Sequence, residues 1–308
     1  VIVAWLVGCG APEPRSADAC GACHTAVHEA WSGSAHGAGT SEVFDAWLPE
    51  VRAVWGPEAA ARCVACHEPG FVEGEEVGCA ACHSAVGNRT EADGALVVDL
   101  GAPISGRATG APHALADRPF GRSSALCATC HEVTGPGLLE ERTGTEHREA
   151  GSARTCADCH LDGHTFAVEP LFAEAVAVRL AVVRDGVVRV EVENVDAGHA
   201  VPTGAAFVRD LYVDLSVGGE VVAPRVLEVG PRPARAGRPV PLLTDADGVL
   251  GEALQVGEVA AVEVALPVGV SASGLEATLW FGRYRRDLLE VLDVAGPPPT
   301  AVGHARLP

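Results

Sequence analysis

The chain of 308 residues contains no Met, no Lys and only two Tyr. Without Met it offers no thioether to a metal, and without Lys every fixed positive charge is an Arg guanidinium. Lys and Arg together number 22 against 41 Asp and Glu, which gives a net charge of -19 and a pI near 4.9. That excess of acid argues against nucleic acid as a partner, because phosphate binding needs a basic face. It suits a self-repelling surface and a basic protein partner. No stretch is apolar for long enough to cross a bilayer.

Cysteine, by contrast, is abundant and patterned. Ten of the eleven Cys form five C-x-x-C pairs, each followed at once by His. The motifs are Cys20-Gly-Ala-Cys23-His24, Cys63-Val-Ala-Cys66-His67, Cys79-Ala-Ala-Cys82-His83, Cys127-Ala-Thr-Cys130-His131 and Cys156-Ala-Asp-Cys159-His160. Two thiols three residues apart on a helical turn reach the two vinyl groups of one haem, and the next residue turns its imidazole to the iron. The pattern reads as c-type haem attachment. Structural zinc takes such pairs two at a time, and five do not divide into twos. A disulfide framework asks for no His, and 12 His in 308 residues do not follow all five pairs by accident. Five haem c are therefore expected. Cys20, Cys23, Cys63, Cys66, Cys79, Cys82, Cys127, Cys130, Cys156 and Cys159 would form the thioethers. His24, His67, His83, His131 and His160 would be the proximal ligands.

Each iron has a second axial position, and the absence of Met excludes His–Met coordination. Seven His lie outside the motifs. That number suits bis-His coordination throughout, which gives lower potentials than His–Met and leaves no position for a substrate. His28 stands four residues after His24 on the same helix face, beyond easy reach of that iron, and reads as a surface side chain; so does His304 in the tail. His36, His113, His147, His164 and His199 remain as distal candidates. His199, on a tight connection between two expected strands, is expected to ligate a haem of the other half.

Residues 18–170 hold all five motifs and show little regular apolar periodicity. Short helices are expected over 25–31 and 41–54, and a Gly-rich loop over 86–112 carries one apolar run, 95–100. With so few apolar stretches, the porphyrins themselves would supply the buried mass. From about Phe172 Cys disappears and period-two alternation begins. Val176, Val178, Leu180 and Val182 lead to Asp185-Gly186, a hairpin signal, and a return strand alternates Val188, Val190 and Val192 with Arg189, Glu191 and Glu193. Further strands are expected over 207–217, 221–229, 259–266 and 275–282, with the Pro297-Pro298-Pro299 tail as an extended surface segment. The expected fold is multidomain: a haem-packed domain of short helices and coil over 18–170, then an antiparallel β-sandwich over 171–308.

The opening Val-Ile-Val-Ala-Trp-Leu-Val-Gly-Cys9 resembles the end of a bacterial lipoprotein signal, in which the Cys becomes the lipidated first residue. It is too short to span a bilayer and lacks a basic n-region. Residues 1–17 thus read as a signal remnant and tether, with Cys9 lipidated and anchoring the chain to a membrane. Export to the periplasm or cell surface follows, and Gly10 after Cys9, by the same resemblance, points to the outer membrane.

The stretch from Cys20 to Trp31-Ser-Gly-Ser-Ala-His36 resembles the opening of the family that groups tetrahaem nitrifier cytochromes with hydroxylamine oxidoreductase. Cys63–His67 and Val77-Gly78-Cys79–His83 are similar to that family's second and third motifs. The resemblance implies distal roles for His36 and for His113 ahead of the fourth motif. The fifth motif followed by His164-Thr-Phe166 resembles a common multihaem ending in which that His is axial. Gly198-His199-Ala-Val-Pro202-Thr203-Gly204, followed by Arg209, resembles the start of a β-domain attached to many bacterial multihaem cytochromes. There are departures. A fifth haem and strands stand where the nitrifier cytochromes continue into a long helical tail. The crosslinking Tyr of hydroxylamine oxidoreductase finds no match, since Tyr212 and Tyr284 lie in the strand-rich half. The absent Lys excludes a C-x-x-C-K catalytic haem of the ammonia-forming nitrite reductase kind.

The expected function is electron transfer between redox partner proteins, basic ones or membrane-bound cytochromes, rather than catalysis. Two alternatives stay open. One is reduction or oxidation of a small nitrogen or sulfur compound at a five-coordinate haem, with Arg62, Arg89 or Arg107 handling charge. The other is polymerisation into a haem filament. The sequence leaves the oligomeric state undetermined.

Overall fold

The computed structural model describes residues 15–38, 41–72 and 75–308. Cys9 and most of the tether lie outside them. The chain divides into two compact units, each assembled from separated segments. The first takes Val1–Thr40, Ala61–Cys130 and Arg154–Phe166, and the second takes Ser41–Ala60, His131–Ala153 and Ala167–Pro308.

The first unit, which holds the ten motif Cys, is built of short pieces. Helices cover Ala17–Gly21, Thr25–Ser32, Cys79–His83, Ser124–Ala128 and Cys156–His160. The 95–100 run supplies Leu96–Val98, an antiparallel partner of Ala85–Asn88, and Ile104–Ser105 pairs in parallel with Leu115–Ala116. Among its described residues the buried apolar side chains are Ala17, Ala80, Ala81, Ala85 and Ala128. Alanine methyls bury too little area to offset chain entropy over a unit this long. Both clusters of larger buried side chains belong to the second unit.

The second unit has a conventional core. Its long strands are β1 (Val176–Arg184), β2 (Val187–Asn194), β3 (Asp210–Val217), β4 (Glu220–Val229), β5 (Val259–Ala265), β6 (Leu275–Gly282) and β7 (Thr300–Arg306). They form two antiparallel sheets, ordered β5-β2-β1 and β4-β3-β6-β7. The alternation foreseen in β2 puts Val188, Val190 and Val192 in the core with no exposure, while Arg189 and Glu191 pair on the other face at 2.6 Å. Leu211, Val213, Leu215, Leu275 and Leu279 fill the same core from the facing sheet. The β1–β2 turn is Asp185-Gly186, with Gly186 at φ 68°, where a side chain would be strained.

Three features depart from the sequence expectations. The Pro297-Pro298-Pro299 run is exposed and extended as expected, but the chain after it, Thr300–Arg306, whose residues all have an N–H to donate, pairs with β6 as an edge strand. Segments Ser41–Ala60 and His131–Ala153 belong to the same unit as the strands, although they precede the change in texture near residue 170. Helix Glu42–Trp55, started by Ser41 accepting from the Phe44 N–H, buries Val43 in a cluster with Phe207, Leu243 and Leu288. Its periodicity announces an apolar face but not the partner that covers it. Helix Arg286–Leu292 was also unforeseen. It begins beside the buried Arg285, whose guanidinium donates to the carbonyls of Phe207 and Pro241 and to Asp287. No helix of the described residues is long and apolar enough to cross a membrane.

Candidate functional site

Every C-x-x-C-H motif runs through at least part of a helical turn. Cys79–His83 and Cys156–His160 are helices in themselves. Cys63–His67 closes the helix Pro57–His67, and Cys127 lies in Ser124–Ala128. In the first motif the His24 N–H donates to the Cys20 carbonyl at 2.9 Å. One turn of this kind brings both thiols and the imidazole toward one face. The last motif is fixed further by a capping box, with Thr155 and Asp158 holding each other's backbone N–H groups.

The motif imidazoles of His24 and His83 each face a His from elsewhere in the first unit. The ring centres of His24 and His113 are 6.2 Å apart with planes at 61°. Those of His83 and His164 are 6.1 Å apart with planes at 18°. A metal–imidazole bond is about 2 Å long and the ring centre lies about 1 Å behind the nitrogen, so two imidazoles across one metal have centres about 6 Å apart. Both gaps therefore fit an iron. The His83 Nδ1–H donates to the Ser105 carbonyl at 3.0 Å, which places the ring's lone pair on Nε2, the ligating nitrogen. The His113 Nδ1 is buried without a hydrogen-bond partner, so the chain's own hydrogen bonds do not account for the placement of that ring.

The other distal candidates divide between the units. The His36 and Gly37 N–H groups donate to Ser34 Oγ, each at 3.2 Å, and the His36 and Phe166 rings lie perpendicular with centres 4.3 Å apart. Burial lowers the His36 pKa; burial, then the neighbouring His83, lowers that of His164. Both shifts favour the neutral imidazole that a metal requires. His147, on helix Thr143–Glu149, lies in the second unit with His131 and His199. A Cβ added to Gly198 would stand 3.9 Å from the His147 ring. The His199 Nδ1–H donates to the Ala200 carbonyl at 2.7 Å, so its lone pair too is on Nε2. Asn194 Nδ2 holds the His199 carbonyl at 2.8 Å. His28 and His304 have acidic neighbours instead, Asp18 at 3.5 Å and Glu276 at 3.9 Å.

The thiols meet across motifs, which the spacing did not announce. Cys79 donates to Cys20, so the hydrogen bond draws the Cys20 pKa down to about 7 while it and burial push Cys79 up. Cys127 is raised by its hydrogen bond with Cys156, then by burial. Cys82 is pushed up to about 11 by burial, then by the charge of Cys130. The second motif approaches Gly94: a Cβ there would lie 3.0 Å from Cys66 Sγ, and the Gly94 N–H donates to the Thr129 carbonyl inside the fourth motif at 2.8 Å. Among the described residues no group of three or more His, Cys, Asp or Glu gathers as it would around a metal ion.

In the second unit the Gly198–Gly204 turn is tied to helix Thr143–Glu149. The Gly204 N–H donates to Thr143 Oγ1 at 3.0 Å, and Thr203 Oγ1 donates to Glu146. Beside this turn, burial pushes the Glu141 carboxyl up to about 7 against the pull of Arg209. Arg107, one of the groups suited to an oxyanion, is exposed and paired with Asp117 at 3.0 Å.

Neither a family model nor a curated protein matches the chain. Among solved structures, the crystal structure of a penta-heme cytochrome c552 from Thermochromatium tepidum does. The chain shares that structure's fold. The match has a TM-score of 0.71 and 18% identity, and covers 95% of this chain and 98% of that one. It therefore runs through the strands as well as the motifs, and the strand-rich unit is part of the shared fold rather than an addition peculiar to this chain.

Proposed function

We propose that the protein relays electrons, outside the cytoplasm, through five covalently bound c-type haems, at least four of them bis-His. The observation that carries this reading is the pair of imidazole gaps, 6.2 Å and 6.1 Å, inside a unit whose described buried apolar side chains are all Ala. Such a unit needs apolar mass, and its ten Cys are spaced to bind it. The Cys of each motif would hold one haem, with the motif His on one axial side. His113 would complete the first iron and His164 the third, while His36, His147 and His199 stand as ligands of the others. Bound there, each haem supplies a one-electron iron couple whose potential the axial ligands and burial set. The chain's part is to saturate the irons, exclude substrate from them and hold neighbouring motifs close.

The hydrogen bonds of Cys20 with Cys79 and of Cys127 with Cys156 support a relay in which the first and third haems, and the fourth and fifth, are neighbours. The penta-heme cytochrome of the same fold supports the haem count. An acidic chain suits a basic or membrane-bound redox partner. Lipidation at Cys9 and attachment to the outer membrane complete the proposal; Cys9→Ser should then release the protein into the soluble fraction, and retention of the variant on washed membranes would refute the anchor. The relay is tested by haem stoichiometry and electron paramagnetic resonance on the matured protein. Five haems per chain with low-spin ferric signals are expected. Fewer haems, or a spectrum dominated by high-spin iron, would refute it, the latter in favour of catalysis at an open iron.

A further inference from the structure

Phe166 is the last residue of the first unit and stands between two candidate iron ligands. Its ring meets His36 at 4.3 Å and 89°, and His164 at 6.2 Å and 87°. Both contacts have the edge-to-face geometry that aromatic rings prefer. His164 in turn faces His83 of the third motif. His36 and His164 are 128 positions apart in the chain, and the Phe166 ring lies beside both.

The backbone here is not at rest by ordinary criteria. Gly163 (φ 56°), His164 (φ 71°) and Phe166 (φ 50°) all lie in the left-handed region. A left-handed glycine needs no explanation. A left-handed His and a left-handed Phe two residues apart do, because a bulky side chain occupies that region only where its surroundings over-determine it. The turn is closed by Thr165, whose N–H and Oγ1 donate to the Asp162 carbonyl at 3.0 and 2.9 Å. Within this strained turn the Phe166 ring reaches both imidazoles.

We propose that Phe166 is a positioning residue shared by two iron ligands, fixing the ring planes of His36 and His164 and so the electronic state of two haems at once. This rests on the haem-relay reading above. An axial imidazole can turn about its iron–nitrogen bond, and its plane governs the anisotropy of a low-spin ferric iron; neighbours that hold the ring therefore tune the metal without touching it. A phenyl ring set perpendicular to an imidazole beside it hinders that rotation. One phenyl against two such rings ties their orientations together.

The test uses the full-length, haem-loaded protein and its Phe166→Ala and Phe166→Tyr variants. Haem stoichiometry is measured first: a wild-type chain without five haems sinks the relay reading, independently of Phe166. With five haems in place, Phe166→Ala should shift the largest g value of two low-spin signals and leave the others where they are, and Phe166→Tyr should restore both. Unchanged spectra in the fully loaded Ala variant, or a shift spread over all the signals, would overturn the proposal while leaving the relay intact. If the Ala variant does not mature, Phe166→Leu keeps the apolar volume without the flat ring. The same two signals should move in it, and a wild-type spectrum from it overturns the proposal equally.

Discussion

Glu141 provides a quantitative test of how the second unit treats charge. It lies in a two-residue strand, Glu140–Glu141, paired with Val133–Thr134. Burial raises its carboxyl from the ordinary 4.5 to about 7, and Arg209 only partly opposes the rise. The folded pKa is therefore above the unfolded one. Below about 4.5 both forms carry the proton and the contribution to stability is fully present; as pH climbs to 7 the unfolded chain releases its proton first, and stability is lost. At 1.36 kcal/mol per pKa unit, the loss amounts to at most about 3 kcal/mol by the time the folded carboxyl has ionised. Glu141→Gln keeps the shape and removes the ionisation. Urea unfolding followed by circular dichroism, at about pH 5 and about pH 8, measures the difference. The variant should exceed the wild type by about 1 kcal/mol at the lower pH and by about 3 kcal/mol at the higher. A variant weaker than the wild type at the higher pH would refute the reasoning, since it would mean that the Glu141–Arg209 attraction outweighs the cost of burial.

Other outcomes follow from single contacts. His164→Ala should convert about one fifth of the ferric iron from low to high spin, read by electron paramagnetic resonance, because five motifs carry one iron each; an unchanged low-spin spectrum counts against its pairing with His83. Gly94→Ala should yield protein one haem short by intact mass, since Gly94 has φ 68° and an added Cβ would lie 2.9 Å from the Ala65 carbonyl and 3.0 Å from Cys66 Sγ; full loading would show that the second motif tolerates the crowding. Leu279→Ala should cost the second unit about 3 kcal/mol in urea unfolding, as Leu279 is wholly buried in the strand between β3 and β7; a loss below about 1 kcal/mol would mean that the core closes around the cavity.

The haem-attachment reading and most of the strands were legible in the sequence because both are local. A C-x-x-C-H motif states its chemistry within five residues. The alternation of Val188, Val190 and Val192 with charged neighbours states a half-buried strand within six. The poverty of large apolar side chains over 18–170 likewise pointed to a buried mass that the chain does not itself supply. What tertiary structure decided depends on residues far apart in the chain. His113 meets His24 and His164 meets His83 across 89 and 81 positions, and no spacing rule relates them. Cys20 reaches Cys79, and Cys127 reaches Cys156, only because their short helices pack together. Helix Glu42–Trp55 shows its apolar face in its own sequence, but only the fold sets Phe207 and Leu288 against that face. The tail reads as an extended surface segment when taken alone, and after Pro299 it becomes a strand because β6 presents an unpaired edge to it. Periodicity and covalent motifs are written in neighbouring residues; burial, pairing and the pKa of Glu141 arise from contacts that exist only once the chain has closed on itself.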